Sequence, residues 1–332
     1  MTQNAQSLLQ IRDLAVEFST DDGIVKAVNG VSYEVPAGHA IGIVGESGSG
    51  KSVSQLAVMR LIARPAGRIT RGEVIFDGEN LLEASESGMR RIRGNRISMI
   101  FQDPMNSLNP VYTVGRQIEE SLRLHQGSSK DEAHARAIEL LDLVGIPSPE
   151  DRVKDYPHQL SGGMQQRAMI AMAIACNPEL LIADEPSTAL DVTIQAQVIE
   201  LLGELREKLN MSVILITHDL ALVAGFCDEV AVMYAGYIVE QGPAREIFYN
   251  PQHPYTLGLL GSVPDLKSSR DEKLEAIPGV PPDMLALPPG CPYAERCSFA
   301  RDECLTVVPE LQEVGTAHTI RCIVDVKSGA LR

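Results

Sequence analysis

The sequence lacks the features of an exported or membrane-spanning chain. Its first residues, MTQNAQSLLQIRD, contain neither the basic cluster nor the apolar core of a secretory signal. No stretch approaches the ~20 consecutive apolar residues that a bilayer requires. The longest apolar runs, such as SVILIT at residues 212–217, have the length of buried strands. Basic residues are outnumbered, 29 Lys and Arg against 44 Asp and Glu, and the net charge of −15 opposes a nucleic-acid surface. Only RRIRGNR, residues 90–96, is densely basic. Internal repeats, low-complexity tracts and sustained heptads are also missing. The expectation is a chain of a reducing compartment that meets a membrane only through a partner. Stable disulfides are uncommon in such a compartment. Cysteine is correspondingly sparse, six residues in 332, yet four of them fall after residue 290.

What is present is ordinary globular material, 44% hydrophobic and 22% charged. At this length one large domain with an appendage is expected. Within it, AIGIVGESGSGKSVSQLAVMRLI, residues 40–62, reads as an apolar strand ending at Val44, a glycine-rich loop, and a helix beginning near Lys51. The loop carries Gly45, Glu46, Ser47, Gly48, Ser49, Gly50, Lys51 and Ser52, a full match to the phosphate-binding pattern G-x-x-x-x-G-K-[ST]. Glycines let successive N–H groups turn toward phosphate oxygens, and the following helix directs its positive end to the same place. Lys51 is expected to reach the β- and γ-phosphates and Ser52 to ligate Mg²⁺. A second apolar strand, in PELLIADEP at residues 178–186, ends in Asp184 and Glu185. Asp184 suits the metal; Glu185 suits a general base acting on water.

A second anion-binding helix start stands at QLSGGMQQR, residues 159–167, where Ser161, Gly162 and Gly163 open a helix. One nucleotide does not need two such starts in one chain. With this segment the sequence resembles the ABC ATPase family, whose LSGGQ signature stands here as Leu160 to Met164, with Met in the fifth place. The resemblance implies ATP as substrate and an α/β P-loop NTPase fold: a RecA-like core, an antiparallel β subdomain and a helical signature subdomain. It also implies roles for further residues. Gln102, in MIFQDPMNSLNP, falls at the Q-loop, which touches Mg²⁺ and the attacking water; STALD, residues 187–191, falls at the D-loop. His218 falls at the switch histidine, and Phe18 is the aromatic expected to stack on adenine. Ser161, Gly162 and Gly163 are expected to complete the ATP site of a second ATPase chain rather than their own.

The coarse pattern agrees. LLQIRDLAVEF, VKAVNGVSYEV and GEVIFDG are β-patterned; helical patterning follows from about 105 to 165. Ser129 and Glu132 form a capping box before AHARAIELLDLV, ended by Gly145 and Pro147. VTIQAQVIELLGELREKL, residues 192–209, reads as an amphipathic helix. The ATPase domain is expected to span residues 1–250, with an extension over 251–332. Proline and glycine in IPGVPPDMLALPPG mark a linker-like stretch.

Three classes of ABC protein compete: an importer ATPase, an exporter half, and a non-transport ATPase of translation or DNA repair. The missing membrane segment opposes the exporter; the single ATPase half, absent heptads and acidic charge oppose the others. GESGSGKSV, HQLSGGMQQR, MYAGYIVEQGP and NPQHPYTLGLLGSVP resemble the oligopeptide/dipeptide importer ATPases, with nickel and glutathione importers as related alternatives. That resemblance implies a homologous F-type ATPase as heterodimer partner, two separate transmembrane permease subunits, and an extracytoplasmic peptide-binding protein. It also implies a place on the cytoplasmic face of the inner membrane. Cys291, Cys297, Cys304 and Cys322 are spaced C-x5-C-x6-C-x17-C, wider than the pairs that zinc sites favour. The residues alone leave open a cluster, Zn²⁺, or unligated or disulfide-forming cysteines. Relatives with such a tail are described as holding a [4Fe–4S] cluster, and the resemblance implies the same here. Cys176 and Cys227 read as small core residues.

Overall fold

A computed structural model describes residues 7–102, 107–187, 191–262 and 277–332; the side chains of 192 and 193 are not described. Its contacts divide the chain into two compact units, one holding Pro36–Ala40 and Glu83–Ile216, the other Ser7–Val35, Ile41–Leu82 and Thr217–Arg332.

The second of these begins with β1 (Ser7–Thr20) and β2 (Gly23–Pro36). The short strand β3 (Ala40–Val44) and helix α1 (Lys51–Val58) follow, then β4 (Gly67–Phe76) and β5 (Glu79–Asn80). β1, β2, β4 and β5 form an antiparallel sheet in the order β2-β1-β4-β5. In β1 the apolar Leu9, Ile11, Leu14 and Val16 are buried, whereas Arg12, Asp13, Ser19 and Thr20 are exposed. The alternation fits a sheet with one covered face.

The other unit carries α2 (Glu86–Ile92), β6 (Ile97–Ile100), α3 (Val114–His125), α4 (Lys130–Leu143), α5 (Pro149–Arg152), α6 (Gly162–Ile174), β7 (Leu180–Asp184), α7 (Val192–Leu209) and β8 (Ser212–Thr217). β6, β7 and β8 are parallel, with Ile97 opposite Leu180 and Leu180 opposite Ser212. Every residue of β7 and β8 is buried, as strands covered on both faces must be. The helices α3, α4 and α6 pack on one another and α6 also packs on β6. The expected capping box is present: Ser129 Oγ accepts from Glu132 N while the Glu132 carboxylate accepts from Ser129 N. α7 runs over the residues its amphipathic pattern marks, started by the Asp191 side chain and stopped by Asn210 in the left-handed conformation.

The chain continues through α8 (Leu220–Ala224), β9 (Glu229–Tyr234), β10 (Tyr237–Pro243), α9 (Ala244–Tyr249) and α10 (Pro254–Gly261). It ends with β11 (Gln312–Gly315) and β12 (His318–Ile320). β9 lies parallel to β3, and β10, β12 and β11 follow in antiparallel order. Residues 277–290 hold neither helix nor strand, as their proline content requires.

A buried polar knot ties β12 to this sheet. Glu240, wholly buried in β10, accepts from Gln252 N (2.6 Å), His253 N (3.0 Å) and His318 Nε2 (2.8 Å). A buried carboxylate is tolerable only with such a full set of partners.

Candidate active site

β3 delivers the chain into the phosphate loop. Gly45 (φ 151°) and Gly50 (φ 98°) both need positive φ, and a Cβ would lie 2.1 Å from Met233 O at the first and 2.3 Å from Ala27 O at the second. No side chain fits, which is the physical content of glycine at those two places. Gly48 is also left-handed (φ 79°), Ser49 is buried and Ser52 opens α1 half-buried beside Lys51. Lys51, 5% exposed, folds its ammonium back onto the loop and donates to Gly45 O (2.7 Å) and Glu46 O (2.9 Å). Ser49 O is tied in turn by Gly236 N (2.9 Å). The loop is closed around its own cation, with Ser47 at the exposed tip.

In the other unit β7 ends at Asp184, which is 5% exposed and opposite Ile216 of β8. Glu185 takes a left-handed φ of 45°, unusual for a residue with a side chain, and its N–H donates to Ile216 O (2.9 Å). That turn points the carboxylate off the strand, where Gln102 Nε2 donates to Glu185 Oε2 (3.0 Å). Two residues far apart in sequence, expected to act on the same water, are thus in direct contact. Ser161 is the N-cap of α6; its hydroxyl accepts from Met164 N at 3.4 Å, and Ser161 and Gly162 are exposed. His218 is exposed directly after β8, before Asp219 caps α8. Phe18 is half-buried in β1 opposite Gly67. Of the D-loop segment, residues 188–190 lie outside the described residues, as do 103–106 of the segment after Gln102.

The four tail cysteines are free thiols and line one small cavity together with His253, Tyr293 and Phe299. Burial pushes the thiol of Cys291 up to about 12 and that of Cys297 up to about 11, and raises Cys322 as well. Among the described residues no group of three or more His, Cys, Asp or Glu side chains is arranged to hold a metal ion. Cys176 and Cys227 are buried, as expected of core residues.

Sequence reading missed a second set of residues beside the phosphate loop. Glu46 N donates to Tyr255 Oη (2.8 Å), and the Glu46 carboxylate accepts two hydrogen bonds from Arg296 (2.6 and 2.9 Å). Tyr234, Tyr255 and Tyr293 pack around them with ring centroids 4.6 to 5.3 Å apart. The only available signal was His253-Pro254-Tyr255, where the His253 side chain starts α10 by accepting from Tyr255 N (3.1 Å).

A phosphate loop after a buried strand, an acidic pair ending a second strand and a Ser-Gly-Gly helix start define a P-loop ATPase of the transporter type. Comparison with known proteins makes this specific. The ABC transporter family model matches residues 28–188, and the model described as "Oligopeptide/dipeptide transporter, C-terminal region" matches 239–304. The oligopeptide transport ATP-binding protein OppD of Bacillus subtilis is 54% identical over 95% of this chain and 88% of its own. The dipeptide transport ATP-binding protein DppD of Haemophilus influenzae is 52% identical over 95% of each. A solved dimeric ATP-binding cassette in a post-hydrolysis state, bound to ADP and Pi, superposes with a TM-score of 0.64 at 28% identity, covering 71% of this chain and 99% of that one. The chain therefore belongs to the ABC ATPases, in the branch of oligopeptide/dipeptide importer ATP-binding subunits. It is an ATP-hydrolysing transporter subunit, a class that works with Mg²⁺. Among the described residues no helix is long and apolar enough to cross a membrane.

Proposed function

We propose that this chain powers uptake of di- or oligopeptides, binding and hydrolysing ATP on the cytoplasmic face of the membrane while separate permease subunits carry the cargo. The single observation that carries this reading is identity of about half or more to peptide-importer ATPases over nearly the full length, the C-terminal region included. The ATPase domain is read as residues 1–250 and the extension as 251–332. The partner ATPase is read as a homologous F-type chain, and the cargo is delivered by an extracytoplasmic binding protein.

Each residue has a role in this reading. Gly45, Ser47, Gly48, Ser49 and Gly50 hold the phosphates through their backbone, and Lys51 exchanges the loop carbonyls for phosphate oxygens. Phe18 stacks on adenine. The Ser52 hydroxyl, the Asp184 carboxylate and the Gln102 amide are hard oxygen donors, a set that fits Mg²⁺. When bound, Mg²⁺ neutralises charge on the transferring phosphoryl group. Glu185 orients water and accepts its proton, steadied by the Gln102 amide it already contacts. His218 contacts the γ-phosphate. Ser161, Gly162 and Gly163 leave their own chain's nucleotide alone and close over that of the partner.

Cys291, Cys297, Cys304 and Cys322 are read as ligands of a [4Fe–4S] cluster. The four free sulfurs line one small cavity, but among the described residues no group of three or more ligands is arranged to hold a metal ion, so the cluster reading rests on the family resemblance and the wide cysteine spacing. Such a centre supplies structure or redox sensitivity, and the thiols give up their protons to hold it. Reconstitution with the subunits encoded beside it tests the cargo: peptides should stimulate ATP hydrolysis. Stimulation by nickel or glutathione alone would replace the peptide reading.

A further inference from the structure

The phosphate loop carries a negative charge in its own sequence. Glu46 is the second residue of the loop, and the ligand of that loop is a polyanion. An uncompensated carboxylate there repels the phosphates and loosens the turn that holds them. The chain supplies its compensation from 250 residues away. Arg296 Nη1 and Nη2 form a bidentate pair with the Glu46 carboxylate, with side-chain exposures of 5% for the arginine and 29% for the glutamate. The guanidinium is fixed on its remaining edges: Nε donates to Pro278 O (2.8 Å) and Nη1 also to Tyr234 Oη (3.2 Å). The glutamate backbone is fixed as well, since Glu46 N donates to the buried Tyr255 Oη and Glu46 O accepts from Lys51 Nζ. Side chain, N–H and carbonyl of one loop residue are therefore all engaged, two of the three by residues that follow α9. Arg296 closes the short 3₁₀ turn Ala294–Arg296 and is followed by Cys297. The residue that clamps the loop thus belongs to the segment that bears the cysteines.

We propose that Arg296 is a positioning residue for ATP binding. With Tyr255 it holds residue 46 in place and cancels its charge, so that the tail from residue 250 onward is a working part of the phosphate site. Arg296 does not touch the nucleotide; it acts through Glu46. The inference rests on the reading that residues 45–52 hold the phosphates.

The test is titration of the full-length chain with a fluorescent ATP analogue, together with steady-state hydrolysis. Lys51→Ala is the control for the underlying reading: if this variant binds nucleotide normally, the loop assignment fails, whatever Arg296 does. With that control satisfied, Arg296→Gln should raise Kd and KM for ATP about tenfold, within the roughly 5- to 150-fold range typical of coupled sites. The kcat at saturating ATP should stay within about threefold. Adding Glu46→Gln to Arg296→Gln should restore affinity to within about threefold of the parent, because the unpaired charge is then gone. Arg296→Lys keeps the charge but not the fork and should fall between. If Arg296→Gln does not fold, the lysine variant and the double variant carry the test. Unchanged Kd in Arg296→Gln, or a double variant weaker than either single, overturns the proposal. So does a proportional fall of kcat and melting temperature without a change in KM, which is what a merely structural residue gives.

Discussion

Two helix starts in this chain carry the glycine and serine pattern that suits anions, and they are finished to different degrees. At α1 the loop wraps a buried Lys51, which donates to two of its carbonyls, and turns at Gly45 and Gly50, whose Cβ positions are filled by backbone. At α6, Ser161 and Gly162 are exposed and the cap bond to Met164 N is long at 3.4 Å. The first is a loop closed around the Lys51 ammonium. The second presents its first residues, Ser161 and Gly162, to the outside. On the reading proposed above, the first start holds this chain's own nucleotide and the second closes over that of the partner.

The largest effect should come from separating binding from chemistry. Glu185→Gln keeps the contact with Gln102 but removes the base, so hydrolysis by the assembled transporter should fall about 10²- to 10⁴-fold. ATP binding to the loop should persist, measured on the same sample. Undiminished turnover would remove Glu185 from its role.

The next test bears on the unfinished start. Ser161→Arg places bulk and charge at the exposed start of α6. Binding of ATP by the altered chain should change by less than about threefold. ATP-driven pairing, followed by light scattering, should disappear, and hydrolysis should drop by about 10²- to 10³-fold, the range for loss of a charge-stabilising donor. If pairing survives, the signature does not act on the partner.

The same contrast marks what could be read from sequence. The phosphate loop, the Asp184–Glu185 strand end, the capping box at Ser129 and the helix at 192–209 were legible because each is a contiguous pattern whose neighbours in sequence are its neighbours in space. The Gln102–Glu185 contact was foreseeable only through family resemblance. The Arg296–Glu46 pair and the Glu240–His318 pair were not legible at all, being separated by 250 and 78 residues. A lone Arg or His has no linear pattern that announces its partner. The tyrosine cluster was hidden for the same reason: Tyr234, Tyr255 and Tyr293 come from three segments.

The cradle's dependence on the tail can be probed by pH. His253 is wholly buried, and burial lowers its basicity to about 4, opposed by the carboxylate of Glu240 and by the backbone of Arg321. Its Nδ1 accepts from Tyr255 N, so protonation there would set a donor against a donor. The unfolded chain takes up this proton near pH 6.5 and the folded chain near 4. The stability contribution is therefore complete above pH 6.5 and is lost as pH falls toward 4, a few kcal/mol at roughly 1.4 kcal/mol per unit. His253→Asn, which can still cap α10 but does not titrate, should flatten the urea-midpoint profile across that window. A profile identical to the parent's would assign the acid sensitivity elsewhere.

The smallest effect separates a helix start that only caps itself from one that also binds. Ser129 closes a full box with Glu132, whose carboxyl is held below the usual range chiefly by the Ser129 hydroxyl. Ser129→Ala should lower stability by about 1 kcal/mol and leave ATP affinity and turnover unchanged. Ser161→Ala should cost no more than that in stability, its cap bond being longer, but should reduce turnover of the assembled transporter. Denaturant midpoints and hydrolysis rates on the two variants give the comparison directly. Equal stability losses with equal, unaltered turnover would show that α6 opens with a cap and nothing more. A loss of turnover confined to Ser161→Ala would place the second anion site at the start of α6.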